Sequence, residues 1–242
     1  MAETVVLVGD AHLGPASGES AARLQAFLRT IPGDGDHLVV MGDLFDFWFE
    51  YRSVIPRDAF STLAALSQAR ARGVRLSVIG GNHDRWGGDF WTREMGAAFH
   101  PQGVDLILAG FRARVAHGDG DSGDGPLVRL VRAVAHHPIT SSAVRLAPPD
   151  LAFWAIHSFS RRLARTTRAQ QELARAAARQ AMWAREVLSR EPELDLLVLG
   201  HTHRAALERL GERRWYLNPG AWADGGRYAM VTEAGPTLCR FE

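Results

Sequence analysis

Five short segments place carboxylates, imidazoles and one carboxamide directly after apolar runs: "VVLVGDAH", "HLVVMGD", "LSVIGGNHD", "ARVAHGDGD" and "LLVLGHTH". They supply Asp10 and His12, then Asp43, then Asn82 with His83 and Asp84, then His117, and finally His201 and His203. One such segment is weak evidence, because short Asp-x-His patterns arise by chance. Five in order, each with a glycine beside its polar group, are not what core packing requires. Buried carboxylates and imidazoles gathered in one place would repel or stay unsatisfied unless cations paired them. The donors are carboxylate, imidazole and a carboxamide oxygen, with no thiolate. That set suits manganese, iron or zinc better than copper or an iron–sulfur cluster. Two ions roughly 3.5–4 Å apart and bridged by a carboxylate would clamp an in-line displacement at phosphorus. Asp43 is the natural bridge, since it comes from a middle strand without a paired histidine.

The elements that must position these groups are legible as alternating patterns. The apolar runs at 4–12, 37–43, 74–84, 111–121 and 194–203 read as strands buried on both faces. Helical spacing at 20–30 and 58–73, with Gly73 as terminator, makes the first third a βαβαβ unit. Parallel strands would bring the polar ends together at the carboxyl edge of the sheet. After His201, β-prone runs separated by Gly211, Asn218-Pro219-Gly220 and Gly235-Pro236 read as antiparallel strands. Residues 122–190 carry only helical patterns, one of them opening at Asp150 as N-cap after Pro148-Pro149. The expected fold is therefore α/β: a βαβ core of residues 1–121 and 191–242, with packed mixed sheets flanked by helices, plus an inserted helical cap at 122–190.

Composition narrows the class of molecule. A chain of 242 residues with 46% hydrophobic and 23% charged content can bury a substantial core, and disorder is excluded. A net charge of +1 provides no global field for nucleic acid, so no nucleic-acid partner is expected. The sequence contains no lysine, and its single cysteine, Cys239, excludes an intrachain disulfide and a cysteine-based zinc site. The N-terminus lacks the features of a signal peptide and no run approaches a membrane span, so a cytoplasmic protein is expected, any membrane contact being peripheral.

The series "GDAHLG", "GDLFDFW", "GNHD", "HGDGD" and "GHTH" resembles the calcineurin-like metallophosphoesterase superfamily, with matches in order from residue 9 to 203. The resemblance implies a metallophosphoesterase-type core and two divalent ions. One ion would be held by Asp10, His12, Asp43 and His203, the other by Asp43, Asn82, His117 and His201. It also implies that His83 protonates the leaving group or stabilises the transition state, with Asp84 orienting its imidazole and a metal-activated water attacking. The stretch "GDLFDFWFE", followed by a helical insertion, is similar to the UDP-2,3-diacylglucosamine diphosphatases of lipid A synthesis, usually manganese enzymes. That likeness implies hydrolysis of a nucleotide-linked glycolipid to UMP and 2,3-diacylglucosamine 1-phosphate, at the cytoplasmic face of the inner membrane. The aromatics Phe45, Phe47, Trp48 and Phe49 would wall the metal site, and the cap would hold the acyl chains.

His83 stands where the best-known of those enzymes carry arginine, which leaves the chemistry intact and the substrate open. Asn82, His83, His201 and, by position, Asp124 are the candidate substrate contacts, together with Arg162 and Arg165 among the cap arginines. Asp46 is either a support for a ligand histidine or a turn cap. Two other functions stay open: hydrolysis of a soluble phosphodiester or nucleotide, and a noncatalytic scaffold with the same fold.

Overall fold

The computed structural model describes residues 3–33, 35–120, 138–155 and 170–242. The expected contacts at Asp124, Arg162 and Arg165 lie outside those residues. The βαβαβ unit forms as β1 (Val5–Val8), α1 (Gly18–Thr30), β2 (His37–Val40), α2 (Phe60–Ala71) and β3 (Arg75–Ile79). Gly73 closes α2 with φ +97°, a conformation glycine adopts without steric penalty. A short helix α3 (Phe90–Arg93) leads to β4 (Ala98–His100). β5 (Val104–Leu108) and β6 (Phe111–Ala116) then form a hairpin across Ala109-Gly110, both at positive φ as a type I′ turn requires.

The remaining strands are β7 (Leu196–Leu199), β8 (Ala206–Arg209), β9 (Trp215–Asn218), β10 (Arg227–Thr232) and β11 (Gly235–Arg240). Two mixed sheets result. One has the order β11-β10-β1-β2-β3-β4 and the other β5-β6-β7-β9-β8. The expectation of antiparallel strands after His201 holds for β8, β10 and β11. It needs correcting for β9, which is antiparallel to β8 and parallel to β7.

Period-2 alternation sorts the strand residues into layers. Val6, Val8, Leu38 and Val40 pack under α1 and α2 with Leu24, Leu28 and Leu66. Their neighbours Val5, Leu7, Val39 and Met41 face the second sheet and meet Val115, Val198 and Leu217. On the far side, Leu197, Leu199 and Tyr216 pack with Ala184 and Leu188 of the helix Gln170–Arg190. The sequence pattern assigns that helix to the cap, yet its C-terminal half is packed on the second sheet. Other described residues between 122 and 190 form a helix at Pro138–Leu146 and a helical run at 149–155, where Pro149 rather than Asp150 takes the first position.

His37, at the foot of β2, is buried with its Nε2 2.8 Å from Ser77 Oγ. Burial first, then the Arg75 charge, pull its pKa down to about 4. The unfolded chain takes up this proton near pH 6.5. The stabilisation from neutral His37 is therefore complete above that pH and is lost as pH falls toward 4. We expect His37→Gln to flatten the acid limb by about 2 kcal/mol, read from urea unfolding at pH 7.5 and pH 4.5. An acid limb identical to that of the unsubstituted chain would rule out His37 as its source.

Candidate metal centre

Strands β1, β2 and β3 of one sheet, and β6 and β7 of the other, end on the same rim. The loops leaving them are stitched together by backbone hydrogen bonds. Asp10 N–H donates to the Gly42 carbonyl at 3.0 Å, His12 N–H to the Asp43 carbonyl at 3.0 Å, and Gly200 N–H to the His117 carbonyl at 2.9 Å. Asp10, His12, Asp43, His201 and His203 all take positive φ, between 45° and 68°. Among the described residues Ala109 is the one other non-glycine residue that does so. Such backbone is costly and persists where the surroundings over-determine it. The crowding is tight enough to require glycine at Gly81, where a Cβ would fall 2.1 Å from Asp43 Oδ1.

Three overlapping groups converge here: Asp10, His12 and His203; His12, Asp43 and His83; Asp43, His117 and His201. Asp43 and His12 each belong to two of them. Asp43 Oδ2 lies 3.4 Å from His117 Nε2, 3.8 Å from His12 Nε2 and 3.9 Å from His83 Nε2. Asn82 joins through its Oδ1, 3.2 Å from His117 Nε2. All seven expected ligands thus sit on one rim, with Asp43 in the middle.

Several polar atoms in this cluster call for a cation. His117 Nδ1 is 2.9 Å from the Met41 carbonyl, and donating a proton there leaves the Nε2 lone pair facing the oxygens of Asp43 and Asn82. Either a second proton or a metal ion must lie between them. With protons alone, burial pulls His117 down, but Asp43, Asp10 and Asp119 outweigh it and raise its pKa to about 10. Burial would raise Asp43, yet His117 and then His83 hold it well below the usual carboxylate range. Asp10 is pushed up to about 6 by burial, against the pull of His117 and His203. Its buried Oδ1 accepts no hydrogen bond, and His203 Nε2 stands 3.5 Å away. His12 is held neutral, its pKa lowered to about 3 by burial against the Asp43 charge, and neutral imidazole is the ligating form. His12 Nε2 and His203 Nε2 face each other at 3.1 Å, a contact that a shared cation would satisfy at both nitrogens.

The structure corrects two expectations. Asp84 does not orient His83, because its Oδ1 accepts the Gly81 N–H and its Oδ2 the Leu44 N–H, both at 2.8 Å. The His83 imidazole is oriented instead by the Asp46 backbone carbonyl, 2.6 Å from Nδ1, while the Asp46 carboxylate stands 3.9 Å from His12 Nδ1. The aromatic stretch is split. Phe45 and Trp48 stack on each other and lie in the core, Trp48 against Phe90 and Trp91, whereas Phe47 and Phe49 meet Trp86, and Phe47 also Phe153 of the cap segment. Sequence reading also passed over the Arg85–Asp119 ion pair at 2.7 Å, which ties the "GNHDR" loop to the "HGD" loop. The visible signal is an aspartate two residues after the expected ligand His117 and an arginine two residues after His83.

A divalent cation bound here is expected to stabilise the chain. At a concentration one hundred times its Kd it contributes about 2.7 kcal/mol, a rise of roughly 5–10 °C in Tm. Thermal melts of chelator-stripped protein with and without Mn²⁺ test this, and superimposable curves would remove the metal centre.

Aspartates and histidines converging on one rim of a two-sheet α/β sandwich, in a chain matched by a calcineurin-like phosphoesterase model, define a metal-dependent hydrolase of phosphoric esters or anhydrides. The chain belongs to the calcineurin-like phosphoesterase superfamily, whose domain model matches residues 4–234. A UDP-2,3-diacylglucosamine hydrolase from Porphyromonas gingivalis is 31% identical, over 95% of this chain and 94% of that protein. A protein of the same name from Xanthomonas axonopodis pv. citri is 29% identical, over 97% of this chain and 98% of that one. Among solved structures, a dimetal phosphatase from Danio rerio aligns at a TM-score of 0.44 with 11% identity, over 100% of this chain and 99% of that one.

Proposed function

We propose that the chain is a dinuclear-metal hydrolase that cleaves the pyrophosphate of UDP-2,3-diacylglucosamine to UMP and 2,3-diacylglucosamine 1-phosphate, a step of lipid A synthesis. The observation carrying the chemistry is the convergence of three metal-capable groups through Asp43. The support for the substrate is the shared name of relatives that align over nearly the whole chain. Asp10, His12, Asp43 and His203 hold one ion, and Asp43, Asn82, His117 and His201 hold the other, manganese in the first instance with iron or zinc as alternatives. When bound, such ions supply Lewis acidity toward phosphoryl oxygens and lower the pKa of water.

The protein's own groups then bind, orient and move protons. With its Nδ1 held by the Asp46 carbonyl, His83 presents Nε2 to the cluster. From there it protonates the departing phosphate oxygen or neutralises charge building on it. Asn82 and His201, at the same rim, touch the phosphate in this reading. Water adds across the P–O–P bond: one P–O bond forms, the bridging P–O bond breaks, and two phosphomonoesters leave. A cap inserted between residues 122 and 190, with Asp124, Arg162 and Arg165, receives the sugar phosphate and acyl chains. Among the described residues no helix is long and apolar enough to cross a membrane. The exposed Leu146, Leu151 and Trp154 of the cap segment suit peripheral contact with a membrane surface on the cytoplasmic side.

The test is hydrolysis of UDP-2,3-diacylglucosamine by manganese-loaded protein, with products resolved by mass, beside UDP-N-acetylglucosamine and a small chromogenic diester. Release of UMP and the acylated sugar phosphate from the lipid alone is expected. Turnover confined to the small diester would keep the metal chemistry and discard the lipid.

A further inference from the structure

A fully buried amide stands behind the ligand loops without belonging to them. Gln180 lies in the stripe Ala176, Gln180, Ala184 and Leu188, the face of the helix Gln170–Arg190 that turns inward. Its Nε2 donates to the Gly200 carbonyl at 3.1 Å. Its Oε1 accepts from Tyr216 Oη at 3.0 Å, Asn218 Nδ2 at 3.0 Å and Thr202 Oγ1 at 3.3 Å. Asn218 Nδ2 also reaches the Gly200 carbonyl and Thr202 Oγ1, each at 3.1 Å, while its Oδ1 accepts the Gly220 N–H at 2.9 Å. Neither amide can flip without setting donor against donor. Gly118 completes the enclosure, since a Cβ there would lie 2.5 Å from Gln180 Nε2.

His201 is therefore flanked on both sides by residues hydrogen-bonded to Gln180, and His117 is joined directly to the glycine pressed against it. These two histidines belong, with Asp43, to one of the three converging groups. We propose that Gln180 is a positioning residue for the second ion site, its amide fixing the His117 and His201 loops at the separation that an ion between them and Asp43 requires. This inference rests on the two-ion reading above. The first site depends less on Gln180, because three of its four ligands, Asp10, His12 and Asp43, come from loops of the other sheet, which Gln180 does not touch.

The experiment titrates Mn²⁺ into metal-free protein by calorimetry and follows the electron paramagnetic resonance spectrum. Gln180→Met, which keeps the volume and removes the hydrogen bonds, is expected to weaken the second ion about 10–100-fold. The first ion should keep its affinity, and the exchange-coupled signal at two equivalents should give way to a mononuclear one. The Mn²⁺ concentration for half-maximal turnover should rise while kcat at saturating metal recovers, which general loss of folded protein would not produce. Thr202→Val, a milder change of the same shape, should move the second ion in the same direction by about tenfold, and decides the matter where Gln180→Met fails to fold. Uptake of fewer than two ions by the unsubstituted chain would overturn the two-ion reading and this inference with it. Two ions in the unsubstituted chain, with equal weakening of both or of neither in the variants, would overturn the role of Gln180 alone.

Discussion

Asparagine in place of Asp43 is expected to lower turnover by about a thousandfold or more while leaving a folded chain. The carboxylate faces three imidazole nitrogens within 3.9 Å and contributes to two of the three metal-capable groups, so one substitution weakens both sites together. Asparagine is the informative replacement because its Oδ1 can still accept the His83 N–H that Asp43 Oδ1 accepts at 2.9 Å. The loop keeps its local bond and loses only the charge. His117 should respond as well. The Asp43 charge is the strongest influence raising its pKa, so the imidazole should titrate well below about 10 in metal-free Asp43→Asn protein. Steady-state rates at saturating Mn²⁺, circular dichroism and histidine NMR titration together check the three parts. Full residual turnover in a folded Asp43→Asn protein would sink the bridging role.

The second large effect is on stability. Asp84 is buried, and both of its oxygens are committed to backbone N–H groups of two different ligand loops. Alanine leaves both donors unpaired, at about 1–3 kcal/mol each. Asp84→Ala should therefore lose about 3 kcal/mol, or roughly 6–12 °C in Tm. Asparagine should fare little better, because whichever loop meets its NH₂ group sets donor against donor. Urea unfolding in the presence of a chelator gives the number. Should Asp84→Ala match the parent in stability and yet lose turnover, the carboxylate would be acting on the chemistry rather than on the loops.

Asp84 also shows where sequence reading reaches its limit. The residue type, its burial after an apolar run and its place beside His83 were legible. Its bond to the Leu44 N–H was not, because Leu44 lies forty positions away. The same holds for the aromatic stretch: one local pattern, Phe45 to Phe49, is divided between the core and a second aromatic group by contacts with Trp91, Trp86 and Phe153. Gln180 left a faint trace as a polar residue in an otherwise apolar helical stripe. Its meaning depended on Tyr216, Asn218 and Thr202 converging on a single amide oxygen.

What the sequence by itself determined is which carboxylates and imidazoles gather at the rim, and the βαβ frame. Apolar runs buried on both faces must become strands, and a polar group placed directly after such a run must emerge at the strand's carboxyl end. That logic is local, so it survives without coordinates. Only the tertiary structure decided that the rim joins two sheets rather than one, that β9 runs parallel to β7, and that the His83 imidazole rests on a backbone carbonyl instead of a carboxylate. Those outcomes depend on which buried hydrogen-bonding groups meet once the layers close. A buried donor or acceptor must take whatever partner the packing brings within reach.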